Sequence, residues 1–498
     1  MEPFAAVNAS PPRPPAPPCT AVMSDLHLSD FEVPNPRRPG WRRYKERDVC
    51  GDDRLLAVFD HLHALAEGRK VELILAGDIF DFDTVLAAPS PAPFPLTWLE
   101  RRRGMVPEEP KSAWKMERIL DCHPQVIAAL HQWLVRGHTL VFIVGNHDLD
   151  LHWPSVQERL VAAMAPPRPD QLTICEFFRI SGGDTLVMHG NQLDAYCVCQ
   201  DPVHPFIEIN GRVRVRSPFG NLAGKLMLNG MGYFNPHVES SFIRPFGQYV
   251  RFFLRYIGRH QPLLGVSWFW SAVTTLWISL DEGFRPALRD PARLEERVAD
   301  VAVRAGATPA VVRGLRDVAA HPAIYSPLRV ARELWLDRAA LLLFLLAAVF
   351  QMGAALQWVT GVGAQWFGIL FLALCPFYLA YARSCRSEVG NTEANIRAHV
   401  ATLCRIAGVN RVITGHTHRA GTSEADGVCY FNTGHWSAAF DDVECTVPVG
   451  TNGFVWIEPD IRGRKAELRR FENGHSLRVE SMPPPVAGPL IDDPGVVG

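Results

Sequence analysis

Asp25, His27, Asp78, Asn146, His147, Asp148, His189, His416 and His418 stand in short polar clusters, each directly behind a short apolar run. Carboxylate, imidazole and carboxamide side chains at such places can hold a metal ion or a phosphate group, because ligands of open α/β sheets sit just outside the carboxyl ends of strands. The centre of the set is TLVFIVGNHD, residues 139–148. Its first half reads as a buried parallel strand, rich in β-branched residues. Taken alone, Gly145, Asn146 and Asp148 are also ordinary turn residues, so this stretch leaves site and turn open.

The elements that must position these residues alternate. Residues 20–28, 71–76 and 139–144 read as strands, 54–67 and 124–136 as helices, and 87–110 as a proline-broken loop over the site. Residues 171–180 and 184–189 read as two more strands. A helix over 391–406 and a strand over 411–414 follow much later. Strands near 428–432, 453–458 and 465–471 are expected to close a second sheet. The β-α-β-α-β order indicates an α/β fold that gathers residues from distant parts of the chain. The loop 31–53 carries Arg37, Arg38, Arg42, Arg43, Lys45 and Arg47. It reads as a solvated surface or, beside an anion site, as a holder of phosphate or anionic lipid head groups.

In chain order the clusters are Asp25-x-His27, Gly77-Asp78-x-x-Asp81, Gly145-Asn146-His147-Asp148, His189-Gly190 and Gly415-His416-Thr417-His418. Each is weak alone, but all five in one order, each after a predicted strand, resemble the calcineurin-like metallophosphoesterase superfamily. That resemblance implies a four-layer α-β-β-α sandwich and hydrolysis of a phosphate ester or pyrophosphate with two divalent ions, Mn first and Fe or Zn as alternatives. Two ions suit the task, because they neutralise the phosphate, acidify a water and clamp the attacking and leaving oxygens. A mixed nitrogen and oxygen ligand set suits those metals better than Mg or Ca.

Carried over residue by residue, Asp25, His27 and His418 resemble the ligands of one ion and Asn146, His189 and His416 those of the other, with Asp78 bridging. His147 resembles the general acid, with Asp148 orienting its ring. Asp81, Asp194 and Arg419 are expected behind the ligands or at the substrate.

Ser24-Asp25-Leu26-His27-Leu28, Met188-His189-Gly190 with Leu193-Asp194, Gly415 to Arg419, and Asn432-Thr433-Gly434-His435-Trp436 resemble the UDP-2,3-diacylglucosamine pyrophosphohydrolases. Those enzymes insert a helical lid where this chain is interrupted. The chain departs from them at His147, where they have Arg, and at Asn191, commonly Asp. It also departs in its far larger insertion. The resemblance implies a phosphorylated, lipid-linked substrate such as UDP-2,3-diacylglucosamine. Another lipid, a nucleotide or a protein is the alternative, and a metal-bearing scaffold without turnover is a third reading.

The chain has 498 residues, a formal net charge of −2 and eleven scattered cysteines. A near-neutral balance implies no polyanion-binding surface, and no nucleic acid is expected. The reading divides the chain into a Pro-rich disordered tail (1–18), a first core part (19–194), a mainly helical insertion (195–390), a second core part (391–481) and a disordered tail (482–498). Residues 339–382 contain no Asp, Glu, Lys, Arg or His. A bilayer span needs about 20 apolar residues, so 341–356 and 366–382 are candidate spans, with Trp358 and Trp366 at the far interface. Arg329, Arg332 and Arg338 before them and Arg383 and Arg386 after them place both ends, and the catalytic domain, in the cytoplasm. The alternative is a buried core hairpin. The run 262–280 reads as interfacial or packed on the hairpin, because the site requires an even number of crossings. Arg251, Arg255 and Arg259 before it have the spacing of a helix on an anionic membrane. Residues 291–320 read as two soluble helices.

Overall fold

The computed structural model describes residues 19–233, 235, 237, 253–258, 263–288, 291–385, 391–461 and 463–479. The expected tails 1–18 and 482–498, and Arg251, Arg259 and Arg386, lie outside the described residues.

Alternation along the first strands sets the layers. In β1 (Cys19–Met23), Ala21 and Met23 face one cluster while Val22 faces another. After α1 (Asp52–Leu65), β2 (Val71–Ala76) does the same with Leu73 and Leu75 against Ile74 and Ala76. Successive strand side chains point to opposite faces, so a continuous apolar run must be covered on both sides. The helices α1, α2 (Glu100–Arg103), α3 (Glu109–Cys122) and α4 (Pro124–Val135) precede β3 (Thr139–Ile143). Then α5 (Pro154–Met164) leads to β4 (Leu172–Cys175). β1 to β4 are parallel neighbours, and α1, α3, α4 and α5 supply the apolar layer over one face.

The expected strand 171–180 is two strands. The chain breaks at Glu176 and Phe177, and β5 (Phe178–Ser181) joins a different sheet from β4, pairing with β6 (Thr185–Met188). A hairpin follows, β7 (Phe206–Ile209) and β8 (Arg212–Val215), then α6 (Phe219–Leu226) and α7 (Leu264–Phe284). Next come α8 (Pro291–Ala305), α9 (Pro309–Asp317) and α10 (Pro327–Glu333). The long pair α11 (Leu336–Thr360) and α12 (Gln365–Ser384) precedes α13 (Thr392–Ala407). The strands β9 (Arg411–Thr414), β10 (Gly421–Ala425) and β11 (Val428–Asn432) complete a five-stranded sheet in the order β10-β11-β9-β6-β5.

β12 (Gly453–Asp460) and β13 (Gly463–Glu472) were expected in that second sheet but extend the first, with β12 antiparallel to β1 and β14 (His475–Arg478) at the edge. Both faces of β12 are apolar, Phe454 and Trp456 on one and Val455 and Ile457 on the other. A place beside β1 buries both. Val22, Ile74, Val141, Val187, Ile413 and Phe431 fill the space between the two sheets. The outer face of the second sheet is covered by α13 and also by α8 and α9, whose Val298, Val301, Val312 and Leu315 are buried with Phe178 and Leu186. Two helices of the segment 195–390 thus pack in the same layer as α13.

The helices α11 and α12 are long and apolar enough to cross a membrane by length and composition. At 25 and 20 residues they span about 37 and 30 Å against a hydrocarbon thickness of about 30 Å. Only 17% of the most apolar stretch of α11 is buried, and none of that of α12, whereas a core hairpin would be enclosed. At their base, Arg338 donates to the Arg332 and Cys385 carbonyls at 2.8 and 2.7 Å. α7 is no third copy of these helices. One face packs on α6, α10 and the start of α11, and its Glu282 is paired at 2.9 Å with Arg214 of β8.

Val298→Asp tests the place of α8 in the core. A carboxylate buried among Phe177, Phe178 and Leu186 has no partner, and we expect a loss of about 3 kcal/mol or more in thermal unfolding. An unchanged Tm would show that α8 is not part of that layer.

Candidate metal centre

Five strand ends converge at one edge. Asp25 and His27 follow β1, Asp78 and Asp81 follow β2, Asn146 to Asp148 follow β3, His189 follows β6, and His416 and His418 follow β9. Parallel pairing brings the first three loops together, and backbone bonds continue beyond the strands: Asp25 N–H to Gly77 O at 3.0 Å and His27 N–H to Asp78 O at 2.9 Å. The second sheet is joined by Gly415 N–H to His189 O at 2.9 Å. A Cβ on Gly77 would strike the His189 ring, one on Gly145 would strike Asp78, and one on Gly415 would strike Ser24 and Asp25. Only glycine allows this approach.

The backbone is strained where the side chains meet. Asp25, His27, Asp78, His416 and His418 all have left-handed φ, between 51° and 69°. Such conformations cost about 1–3 kcal/mol each and persist where the surroundings enforce them.

Among the described residues, four groups of ligating atoms lie close enough to hold an ion. Two of them are Asp25, His27 and His418, and Asp78, His189 and His416; the others are His27, Asp81 and His147, and Asp194, Cys197 and His416. His418 Nε2 lies 3.3 Å from both Asp25 Oδ1 and His27 Nε2. Asp78 Oδ2 lies 3.1 Å from His189 Nε2 and 3.9 Å from His27 Nε2, so it stands between the first two sets. Asp25 Oδ1, Asn146 Oδ1 and His189 Nε2 are buried with no hydrogen-bond partner among the described residues. A buried polar atom costs about 1–3 kcal/mol when unsatisfied, and all three belong to residues at the converging strand ends. His189 Nδ1 faces the Ala76 carbonyl at 3.0 Å. A carbonyl only accepts, so Nδ1 carries a proton, and Nε2, which faces Asp78, is the nitrogen that can exchange its own proton for a cation. The residues present fit a pair of divalent ions.

The charges agree. In the metal-free chain, burial alone would raise Asp78 and Asp25, yet neighbouring imidazoles, His189 first, hold Asp78 well below the usual carboxylate range and Asp25 at about 2. Burial would lower His189, but Asp78 and Asp25 raise it to about 9.

Around this centre the structure rearranges the expected partners. Asp148 does not orient His147. It accepts the Ile79 N–H at 2.9 Å and the Gly145 N–H, tying the β2 and β3 loops together. Burial and then the Asp78 charge push it up to about 7. The ring of His147 instead meets Asp81 Oδ1 at 3.2 Å and Asp83 Oδ2 at 3.7 Å, while the backbone N–H of His147 donates to Asp78 Oδ1 at 2.8 Å. Burial would lower His147, but Asp81, Asp78 and Asp83 hold it well above the ordinary imidazole value. Asp194 meets His416 Nε2 at 3.0 Å. Arg419 follows the cluster at an exposed position.

Several residues here had no motif to announce them. Asn221 of α6 donates to the Asn146 carbonyl at 2.8 Å and to Asp83 at 2.5 Å. His237, from the insertion, packs its ring 4.4 Å from His27. His435, which stacks on His418, is the exception, since it belongs to the Asn432–Trp436 motif. Cys197 lies with Asp194 and His416. Glu393 of α13 accepts from Thr417 at 2.8 Å and so braces the β9 turn. Asp83 is the third acid of Asp78-x-x-Asp81-x-Asp83.

Residues 20–217 match the calcineurin-like phosphoesterase family model. Residues 20–217 thus form a calcineurin-like phosphoesterase domain, and such a domain indicates a metal-dependent phosphoesterase. Among solved structures, a single-mutant Vps29 from Entamoeba histolytica is similar at 27% identity, with a TM-score of 0.13, over 17% of this chain and 46% of that one. The chain thus spans less than half of that protein. Comparison with curated proteins gave no match.

Adding Mn²⁺ to the metal-free protein should raise its Tm, by an amount equivalent to about 2.7 kcal/mol at a hundredfold excess over Kd. Gly77→Ala, which displaces the His189 ring, should remove most of that rise. An equal rise in the variant would disconnect His189 from the bound metal.

Proposed function

We propose that this phosphoesterase domain hydrolyses a phosphate ester or pyrophosphate of a lipid-linked substrate at the cytoplasmic face of a membrane. The supporting observation is the pair of His/Asp sets joined through Asp78 Oδ2, with unsatisfied buried ligand atoms on both sides. Asp25, His27 and His418 would hold one ion and Asn146, His189 and His416 the other, with Asp78 shared. Mn is the first candidate, with Fe or Zn as alternatives. When bound, such a pair neutralises phosphate charge and acidifies a water.

The chain's own groups do the rest. His147, kept protonated by Asp81, Asp78 and Asp83, is placed to give its proton to the leaving oxygen. Asp81 fixes the ring through Nδ1, so the donating atom is Nε2. Asp148 holds the turn that presents Asn146 and His147, and Asp194 fixes the ring of His416. Both are positioning residues.

The exposed apolar helices α11 and α12 support the membrane setting, and the motifs shared with UDP-2,3-diacylglucosamine pyrophosphohydrolases support that substrate class. His147, bonded to Asp81 where those enzymes have Arg, favours a second reading: a phosphatase or phosphodiesterase acting on another lipid, a nucleotide or a protein.

Asp78→Ala and His418→Ala should abolish Mn²⁺-dependent hydrolysis by the detergent-purified full chain, and unchanged activity in both would end the assignment. His147→Gln should keep its metal and lose about 10²–10⁴-fold in kcat. Asp81→Asn should lower kcat in the same direction. A panel of UDP-2,3-diacylglucosamine, simple phosphodiesters and nucleotides separates the two substrate readings.

A further inference from the structure

A second cleft, of about 330 Å³, opens between the basic loop after β1, the segment around α2, α6 and the first half of α7. Four arginines line it: Arg38, Arg42, Arg102 and Arg103. Arg42 is paired with Glu32 at 2.8 Å. Arg38, Arg102 and Arg103 have no carboxylate partner among the described residues, and Arg103 reaches only the Ser271 hydroxyl, at 3.4 Å. Burial and the charges of Arg42 and Arg102 push the Arg103 guanidinium below its ordinary pKa, as expected of cations crowded without an anion.

The guanidinium planes are held by aromatic rings. Arg38 and Arg42 lie over Trp41 at 5.0 and 5.5 Å, and Arg102 lies over Trp98 at 4.7 Å. Arginines stacked in this way are pre-organised forks for phosphate oxygens. Gly230 makes room for them, since a Cβ there would collide with the Arg103 guanidinium.

The third wall is Trp270 of α7, and this helix is inverted relative to an ordinary surface helix. Its most buried residues are small or polar, Ser271, Ala272, Thr275, Ser279 and Glu282, with Trp268 and Leu276 partly buried beside them. Its outward face carries Val266, Trp270, Val273, Trp277 and Phe284, with Trp270 and Trp277 67% and 73% exposed. Large apolar groups outside and small ones at the packed face are the pattern of a helix bordering lipid. The apolar stripe begins inside the arginine cleft. Cationic forks at one end and a greasy track leading away from it match an anionic amphiphile in both charge and polarity.

We propose that this cleft docks the phosphate headgroup of an anionic membrane lipid, with the acyl chains lying along the outward face of α7. The proposal uses the membrane setting of the proposed function and no part of its hydrolytic chemistry. The site is separate from the metal centre but adjoins it: Asn229, on the cleft wall, donates to the Asp83 carbonyl at 2.9 Å.

The test is calorimetric titration of the full chain, in a non-ionic detergent, with dihexanoyl phosphatidylglycerol below its micellar concentration. Dihexanoyl phosphatidylcholine and inorganic phosphate are the comparison ligands. Phosphatidylglycerol should bind and phosphatidylcholine should not. The double variant Arg102→Gln/Arg103→Gln should weaken binding about tenfold or more, because two charge-assisted contacts are lost. Gly230→Ala, which keeps every charge but displaces Arg103, should weaken it in the same direction and serves if the double variant fails to fold. Asp78→Ala should bind the lipid normally, which separates this cleft from the metal centre. Equal binding of phosphatidylcholine, unchanged affinity in the cleft variants, or loss of binding in Asp78→Ala would overturn the proposal. So would inorganic phosphate binding as tightly as the lipid, since the acyl chains would then contribute nothing.

Discussion

The structure depends on how closely the strand-end loops approach one another. Gly77, Gly145 and Gly415 are the points of contact, and at each a single methyl group would collide with Asp25, Asp78 or His189. Because those positions are bare, carboxylates and imidazoles from both sheets occupy one buried region. Desolvation there is severe, and each charge is tolerable only because the opposite charge is within 3–4 Å. The left-handed backbone at five of the converging residues is a further cost of the same compression. The two packed sheets and their helical layers hold these loops under that load.

Much of this was legible in the sequence because each polar cluster lies within a few residues of an apolar strand. Alternation fixes which way Val22, Ile74 and Val141 face, and a strand's end fixes where the next polar residues stand. What was not legible depends on partners far apart in the chain. Nothing local says that β12 pairs with β1, since its apolar run would suit either sheet. The same limit explains Asp148. Adjacency to His147 suggested that it orients the ring, but a strand-end turn sends neighbouring side chains in different directions. Asp81, from another loop, takes that place. Asn221, His237 and Glu393 reach the centre from helices and turns whose local sequence carries no mark of it.

The interrupting segment does two unlike things. α8 and α9 complete the core over the second sheet, with the ordinary physics of buried valine and leucine. α7, α11 and α12 turn large apolar side chains outward. A single insertion thus both closes the fold and gives it a lipid-compatible side. The hairpin base, where Arg338 bonds carbonyls of two segments, keeps the long helices in a defined relation to the domain.

The order of the site residues along the chain has a consequence for biogenesis. His189 precedes the insertion, and His416 and His418 follow it. During synthesis, Asp25 to His189 emerge first as an incomplete set of acids and imidazoles that lacks the second sheet's central strand, β9. Every residue of the long apolar helices leaves the ribosome before the last ligands do. Domains form as their chain becomes available, so these helices are complete before the centre can be assembled. A chain arrested within the insertion would lack His416 and His418, and with them one histidine of each ligand set.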